Sequence, residues 1–288
     1  MRPHCHRFFP LLAAALIAPV APVAQGADKA PVDAGPYVPS PTSVVADMLT
    51  LADVGPKDFV IDLGSGDGRI VLTAAKVFGA RGFGVDINEK LVKDANEAAR
   101  LQGIGDRASL AVQDLFKTDI SKATVLTMYL LPNTVNMLKD KLLAELNPGT
   151  RILSHDYPLH GWMPDDTKQF ELQDKIAITG VTTTILYLYR VPAKIEGDWI
   201  ARVPAAISRQ PISLKFEMKR VVRLVGSARV AGKDIPIGEG IVRGEQVQFQ
   251  FYAGEQRYKF SGTATDKAID GIVEGGGVKG AWSAVRPK

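Results

Sequence analysis

Asp62-Leu63-Gly64-Ser65-Gly66-Asp67-Gly68-Arg69 sets three alternating glycines between an apolar run, Phe59 to Leu63, and an amphipathic stretch that begins at Arg69. Glycine lacks a Cβ and adopts positive φ at little cost. Such a turn therefore lets a ligand approach the backbone closely, beside the N-terminus of the following helix. Roughly twenty residues on, a second short apolar run, Gly82 to Val85, ends in Asp86, where an acid accepts hydrogen bonds from both hydroxyls of a ribose. Together these residues describe a nucleoside-binding site in an α/β domain.

The dinucleotide fingerprint G-x-G-x-x-G uses its third glycine to pack helix against sheet. Here the spacing is G-x-G-x-G, and Arg69 occupies the place of that third glycine. Asp67 lies inside the loop, where it would repel a pyrophosphate, so a dehydrogenase is disfavoured. An acid there pairs instead with an ammonium group, such as the amino-acid end of S-adenosylmethionine. The candidate cofactor residues are Asp62, Gly64, Ser65, Gly66, Asp67 and Gly68 in the loop, and Asp86 and Ile87 after the second strand. Spacing shows no metal-ligand cluster and no Ser/His/Asp arrangement at a nucleophile elbow.

These residues need a scaffold, and the pattern along the chain supplies one. Helical spacing begins after Pro41, with Thr42 or Ser43 as the expected N-cap. Strands at 58–63, 82–86, 108–112, 123–129 and 150–155 alternate with helices at 69–78, 88–102 and 133–146. That rhythm predicts a parallel sheet covered by helices. Runs at 170–178 and 182–189 predict a hairpin that closes the sheet with a reversed last strand. From residue 196 the chain changes to seven short alternating runs, 198–203 to 268–274, punctuated by glycine. These predict a small antiparallel meander or partial barrel, with Trp199 and Trp282 in its core. The expected organisation is therefore an N-terminal segment at 1–26, a linker at 27–41, a nucleoside-binding domain at 42–192 and a β-rich domain at 196–288.

The chain holds 35 basic and 31 acidic residues, a formal charge of +4, with 46% hydrophobic content. No basic stripe with interleaved aromatics argues for nucleic acid. Arg2 and Arg7 precede an apolar stretch, Phe8 to Val23, and Ala24-Gln25-Gly26 offers small residues before Ala27. This predicts an export signal cleaved near Gly26/Ala27 and a periplasmic mature chain, with membrane anchoring through the same segment as the alternative. Cys5 lies in that segment, so cleavage removes the chain's one cysteine.

Residues 37 to 190 resemble one branch of the class I methyltransferases, the family of mitochondrial lysine methyltransferases that modify the ATP synthase c-subunit and the adenine nucleotide carrier, with its bacterial relatives. The resemblance rests on Tyr37-Val38-Pro39-Ser40, on the loop from Asp62 to Arg69, on Gly84-Val85-Asp86 and on Gln113-Asp114-Leu115-Phe116. It continues in Tyr129-Leu130-Leu131-Pro132, Ser154-His155-Asp156-Tyr157, Gly161-Trp162 and Pro164. It implies a mostly parallel seven-stranded Rossmann-like sheet with an antiparallel last strand, S-adenosyl-L-methionine as cofactor and a protein lysine as acceptor. Membrane proximity is a further expectation.

Carried across, the glycines would line the cofactor, Asp67 would meet its methionine end, Asp86 its ribose and Asp114, after the third strand, its adenine amino group, with Leu115 or Phe116 against the ring and Tyr37 as a lid over it. At the fourth strand many amine methyltransferases place an Asp/Asn-Pro-Pro-Tyr run. Here Met128-Tyr129-Leu130-Leu131-Pro132-Asn133 keeps a proline without the acid. Tyr129, Pro132, His155 and Asp156 are the candidates for orienting the amine and taking its proton. A small-molecule or lipid-headgroup acceptor, and a non-catalytic nucleoside-binding envelope protein, are the other classes these features admit.

Overall fold

The computed structural model describes residues 37–176 and 180–287. The expected export signal, its cleavage point and the first part of the expected linker lie outside them. Among the described residues no helix is long and apolar enough to cross a membrane.

Helix α1 (Thr42–Leu51) buries Val44, Val45, Met48 and Leu49 at helical spacing. Pro41 holds its cap position without a side-chain bond, so neither Thr42 nor Ser43 takes the expected capping part. There follow β1 (Phe59–Leu63), α2 (Arg69–Val77), β2 (Arg81–Asp86), α3 (Glu89–Leu101), β3 (Ala108–Val112), β4 (Val125–Met128), α4 (Pro132–Glu145) and β5 (Arg151–His155). With β6 (Asp166–Glu171) and β7 (Thr183–Arg190) they form a seven-stranded sheet in the order 3-2-1-4-5-7-6. β7 runs antiparallel to both of its neighbours, and the pairs among β1 to β5 are parallel.

β6 departs from the expected 170–178. It starts earlier, is almost wholly exposed and sits at the sheet edge. A polar edge strand carries no hydrophobic alternation to read. The apolar-looking residues that follow it instead begin with a single 3₁₀ turn, Gln173–Lys175.

Alternation along the strands separates two faces. Val60, Val125 and Leu153 pack with α1 and α2, whereas Ile61, Leu126, Ile152 and Tyr189 pack with α4 on the other face. No helix follows β5. That part of the sheet is covered by Leu159 and Trp162 of the loop after β5, and by Val222, which belongs to the second half of the chain.

That second half is a closed antiparallel barrel. Its strands are β8 (Gly197–Arg202), β9 (Ile212–Lys219), β10 (Arg223–Val230), β11 (Lys233–Arg243), β12 (Gln246–Ala253), β13 (Gln256–Ala264), β14 (Ala268–Gly275) and β15 (Val278–Val285). β15, which the sequence reading did not anticipate, pairs with both β14 and β8 and so closes the ring. An eight-stranded barrel has an interior just wide enough for side chains to fill. Here Phe249 stacks on Phe260 at 4.7 Å between centroids, and Trp282 stands edge-on to both. Trp199 is wholly buried and donates its indole N–H to the Ile195 carbonyl at 2.7 Å.

The two halves are joined by more than the chain. Ala193 N–H donates to the Gly244 carbonyl at 2.8 Å, Arg243 pairs with Asp165 at 3.1 Å, and Val222 at the β9–β10 turn is 2% exposed.

Candidate active site

β1 and β4 are neighbours in the sheet, yet their connections run to opposite sides. A crevice therefore opens at the carboxyl ends of these strands. The loop from Gly64 to Gly68, the residues after β2 and β3, Tyr129 with Leu130, and the segment Tyr37–Ser40 line it. Gly64, Gly66 and Gly68 all have positive φ, of 77°, 53° and 75°. A Cβ on Gly66 would run into the Tyr37 ring, and one on Gly64 would lie 2.6 Å from Leu130. The Tyr37 ring thus lies directly against the glycine loop. Ser40, read as part of a linker, is instead 4% exposed and pinned: its carbonyl accepts from Arg69 at 2.7 Å and its hydroxyl meets His155 Nδ1 at 2.9 Å.

The acids divide the crevice between them. Asp86 accepts from Gly66 N–H through one oxygen and from Asn88 N–H through the other, both at 2.8 Å. Each oxygen keeps a lone pair for a hydroxyl. Asp67 is engaged by Arg69 in a two-pronged ion pair, with its shortest contact at 2.6 Å. Burial works upward on the Asp67 carboxyl, but the Arg69 hydrogen bonds outweigh it and hold the group below its usual range. The cation expected of a ligand is therefore supplied at Asp67 by the protein's own Arg69, the residue that replaces the third glycine.

Asp62 behaves differently. It is 2% exposed, accepts from the Thr127 hydroxyl at 2.7 Å and has no basic partner among the described residues. Burial, against the help of Thr127 and with Asp86 and Asp67 nearby, pushes its carboxyl up to about 7. Beside it the buried Ser65 Oγ has no hydrogen-bond partner among the described residues. Ile87, half exposed, and Leu115 give the far end of the crevice apolar surfaces. Asp114 uses Oδ1 to cap its own turn by accepting from Phe116 N–H at 2.8 Å.

The four residues expected near the acceptor separate. Tyr129 lines the crevice, whereas His155, Asp156 and Pro132 do not. Pro132 is the first, exposed residue of α4. His155 is fully buried behind Tyr129, with the rings stacked at 3.9 Å. Burial drives its pKa down to about 4, so the imidazole is neutral. Asp156, at φ 63°, pairs with buried Lys175 at 2.6 Å and accepts from Ile185 N–H at 3.1 Å. Its carboxylate also stands by the Tyr129 hydroxyl, which burial first and then Asp156 hold protonated well above the usual range. His155 and Asp156 thus lie behind Tyr129, outside the lining of the crevice. Lys175 was missed because the run that holds it reads as a strand. Among the described residues no group of side chains is arranged to hold a metal ion.

The family description ANTKMT methyltransferase domain matches residues 62–166. A protein-lysine N-methyltransferase of Saccharolobus islandicus is 47% identical over 137 residues, 47% of this chain and 85% of the relative. The chain belongs to the ANTKMT methyltransferase family. Two animal relatives are more distant. An ATP synthase c-subunit lysine N-methyltransferase of Xenopus laevis is 33% identical over 45% of this chain and 57% of its own length. An adenine nucleotide translocase lysine N-methyltransferase of Mus musculus is 33% identical over 54% and 63%. The chain thus spans less than two thirds of either of these methyltransferases. A crystal structure of an RNA methyltransferase from Salinibacter ruber with S-adenosyl-L-homocysteine is 44% identical, covering 55% of this methyltransferase and 96% of that chain at a TM-score of 0.49.

Proposed function

We propose that this methyltransferase transfers a methyl group from S-adenosyl-L-methionine to the side-chain nitrogen of a protein lysine. The observation that carries the reading is the crevice itself, where a glycine cradle, a sugar-ready Asp86 and a buried, unneutralised Asp62 converge. The residues fit the cofactor: Asp86 would hold the ribose, Ile87 and Leu115 would flank the base, and the free oxygen of Asp114 would meet its amino group. Ser65 Oγ and Asp62 would receive the amino-acid end, whose ammonium answers a carboxyl that lacks a basic partner.

S-Adenosylmethionine supplies a methyl group on a sulfonium, and the carbon–sulfur bond breaks as the carbon–nitrogen bond forms. The attacking amine must be neutral, aligned and free of water, which calls for positioning more than for a strong base. Tyr129, kept protonated and fixed by His155 and Asp156, presents its oxygen as an uncharged acceptor for the amine. The neutral His155 adds no positive charge to repel a cationic substrate. The protein-lysine acceptor is supported by the relatives' names and by the missing acid in the Leu130–Pro132 run.

The test is a labelled-methyl assay of cell extract separated into protein, RNA and small-molecule pools. Label is expected in lysines of the protein pool, with Asp86→Ala lowering incorporation at least hundredfold. Label in RNA or small molecules alone would overturn the acceptor, and no label in any pool would overturn the catalytic reading.

Asp62 gives a second expected outcome. Ligand-free, it titrates near pH 7, and a cationic ligand favours its ionised form. Cofactor affinity measured by calorimetry should therefore rise as pH increases from 6 to 8, with proton release, and Asp62→Asn should flatten the profile. Between the ordinary carboxyl value and about 7 the folded chain holds the extra proton, so this group alone lowers folding stability as pH rises through that window.

A further inference from the structure

We propose that the groove between the barrel and the loop after β5 binds an acidic segment of the acceptor protein, an inference that rests on the protein-lysine reading above. Trp162 and Met163 form one wall, and Arg220, Arg223, Glu239 and Ile241 form the other. Arg220 and Arg223 are exposed, and neither has an acidic partner within ion-pair distance among the described residues, whereas Arg243 nearby is engaged by Asp165 at 3.1 Å. The groove is thus rich in donors, with Glu239 its one acid, and carboxylates are what it would hold.

Charge along the chain agrees. Residues 197–288 carry 15 basic and 9 acidic side chains, whereas 37–196 carry 17 and 20. The barrel is the cationic half, and an anionic partner would meet it first.

The backbone is shaped at the same place. Arg220, Val221 and Glu239 have φ of 46°, 68° and 48°, a region that non-glycine residues, and β-branched ones above all, adopt at a cost. The turn is held there because Val222 is buried against the sheet core. β11 shifts register between Gly238 and Ile241, and such a bulge re-aims the side chain it carries. Arg220 is therefore displayed from a fixed backbone, which spares binding the cost of ordering that turn.

Reach ties the groove to the chemistry. The chain from Asp156, behind Tyr129, to Gly161 at the groove's lip extends at most about 18 Å. An extended peptide with its lysine at Tyr129 would therefore need no more than about five or six residues to place a side chain in the groove. The apolar faces of Met163 and Ile241 suit such a strand better than a flat polyanion.

The experiment uses the full chain with S-adenosylhomocysteine and fluorescent peptides of about twelve residues, each with one lysine. One series carries two glutamates about five and six residues from the lysine, and the companion carries glutamines there. Anisotropy is expected to give a Kd at least tenfold lower for the acidic peptide. Arg220→Gln with Arg223→Gln should erase that difference while S-adenosylhomocysteine affinity holds, and Glu239→Gln should tighten the acidic peptide. Equal affinities for both peptides, a preference that survives the double substitution, or stronger competition by RNA or anionic vesicles would each overturn the inference. Methylation of the same peptides is read separately. Charge-dependent binding without methyl transfer would sink the lysine reading, and methyl transfer indifferent to charge would sink the groove.

Discussion

Gly66→Val should fold, melt a few degrees lower and lose at least hundredfold in affinity for S-adenosylmethionine, a change of about 2.8 kcal/mol. Two independent effects produce this. Gly66 has φ of 53°, where a β-branched residue is strained. Its new Cβ would also occupy the place of the Tyr37 ring. Tyr37 is 47% exposed, so the ring can swing aside without opening a core. What is lost is the close approach of backbone to ligand and the alignment of Gly66 N–H on Asp86. Gly103→Val provides the control, since φ there is 68° but nothing lies within 4 Å of the added Cβ. It should share the strain and keep the affinity. Calorimetry on both variants decides the matter: a Gly66→Val protein that binds within threefold of the parent would remove the glycine loop from the cofactor site.

Asp156→Asn should cost about 3 kcal/mol of folding stability, near the lower end for breaking a buried ion pair from one side. The Asp156 and Lys175 side chains are 11% and 6% exposed and meet at 2.6 Å. Asparagine tolerates the left-handed backbone and keeps the shape, so the loss reports charge rather than strain. Lys175→Met in the same background should recover most of it, because a buried pair and its apolar replacement are often close in energy. Urea denaturation of the single and double variants measures the cycle. Activity should not return with stability, since the Tyr129 hydroxyl would still lack its carboxylate. A double variant as active as the parent would show that Asp156 serves folding alone.

The crevice was legible because its chemistry is local. Gly64 to Gly68 and Asp86 are read from spacing, and the sheet that positions them is read from five apolar strands separated by helices. What escaped was set by distance in the chain. Arg69 was noticed only as a misplaced glycine, yet it ties Asp67 to the carbonyl of Ser40, a contact that no local pattern encodes. Lys175 meets Asp156 across β7, so its burial follows from tertiary packing. β6 has no buried face to write alternation into the sequence. β15 follows the run Gly275-Gly276-Gly277, and its Lys279 and Gly280 dilute the pattern, although ring closure needs the strand.

That closure has a consequence for how the C-terminal half meets other molecules. Every strand of the ring has a ladder partner on both sides, so no strand is a free edge along its whole length. A visiting chain finds little edge to extend as an additional strand, and the interior is filled by aromatic rings. Recognition by this half therefore falls mainly to the side chains and turns on its outer skin, which can diverge without disturbing the hydrogen-bonded hoop beneath.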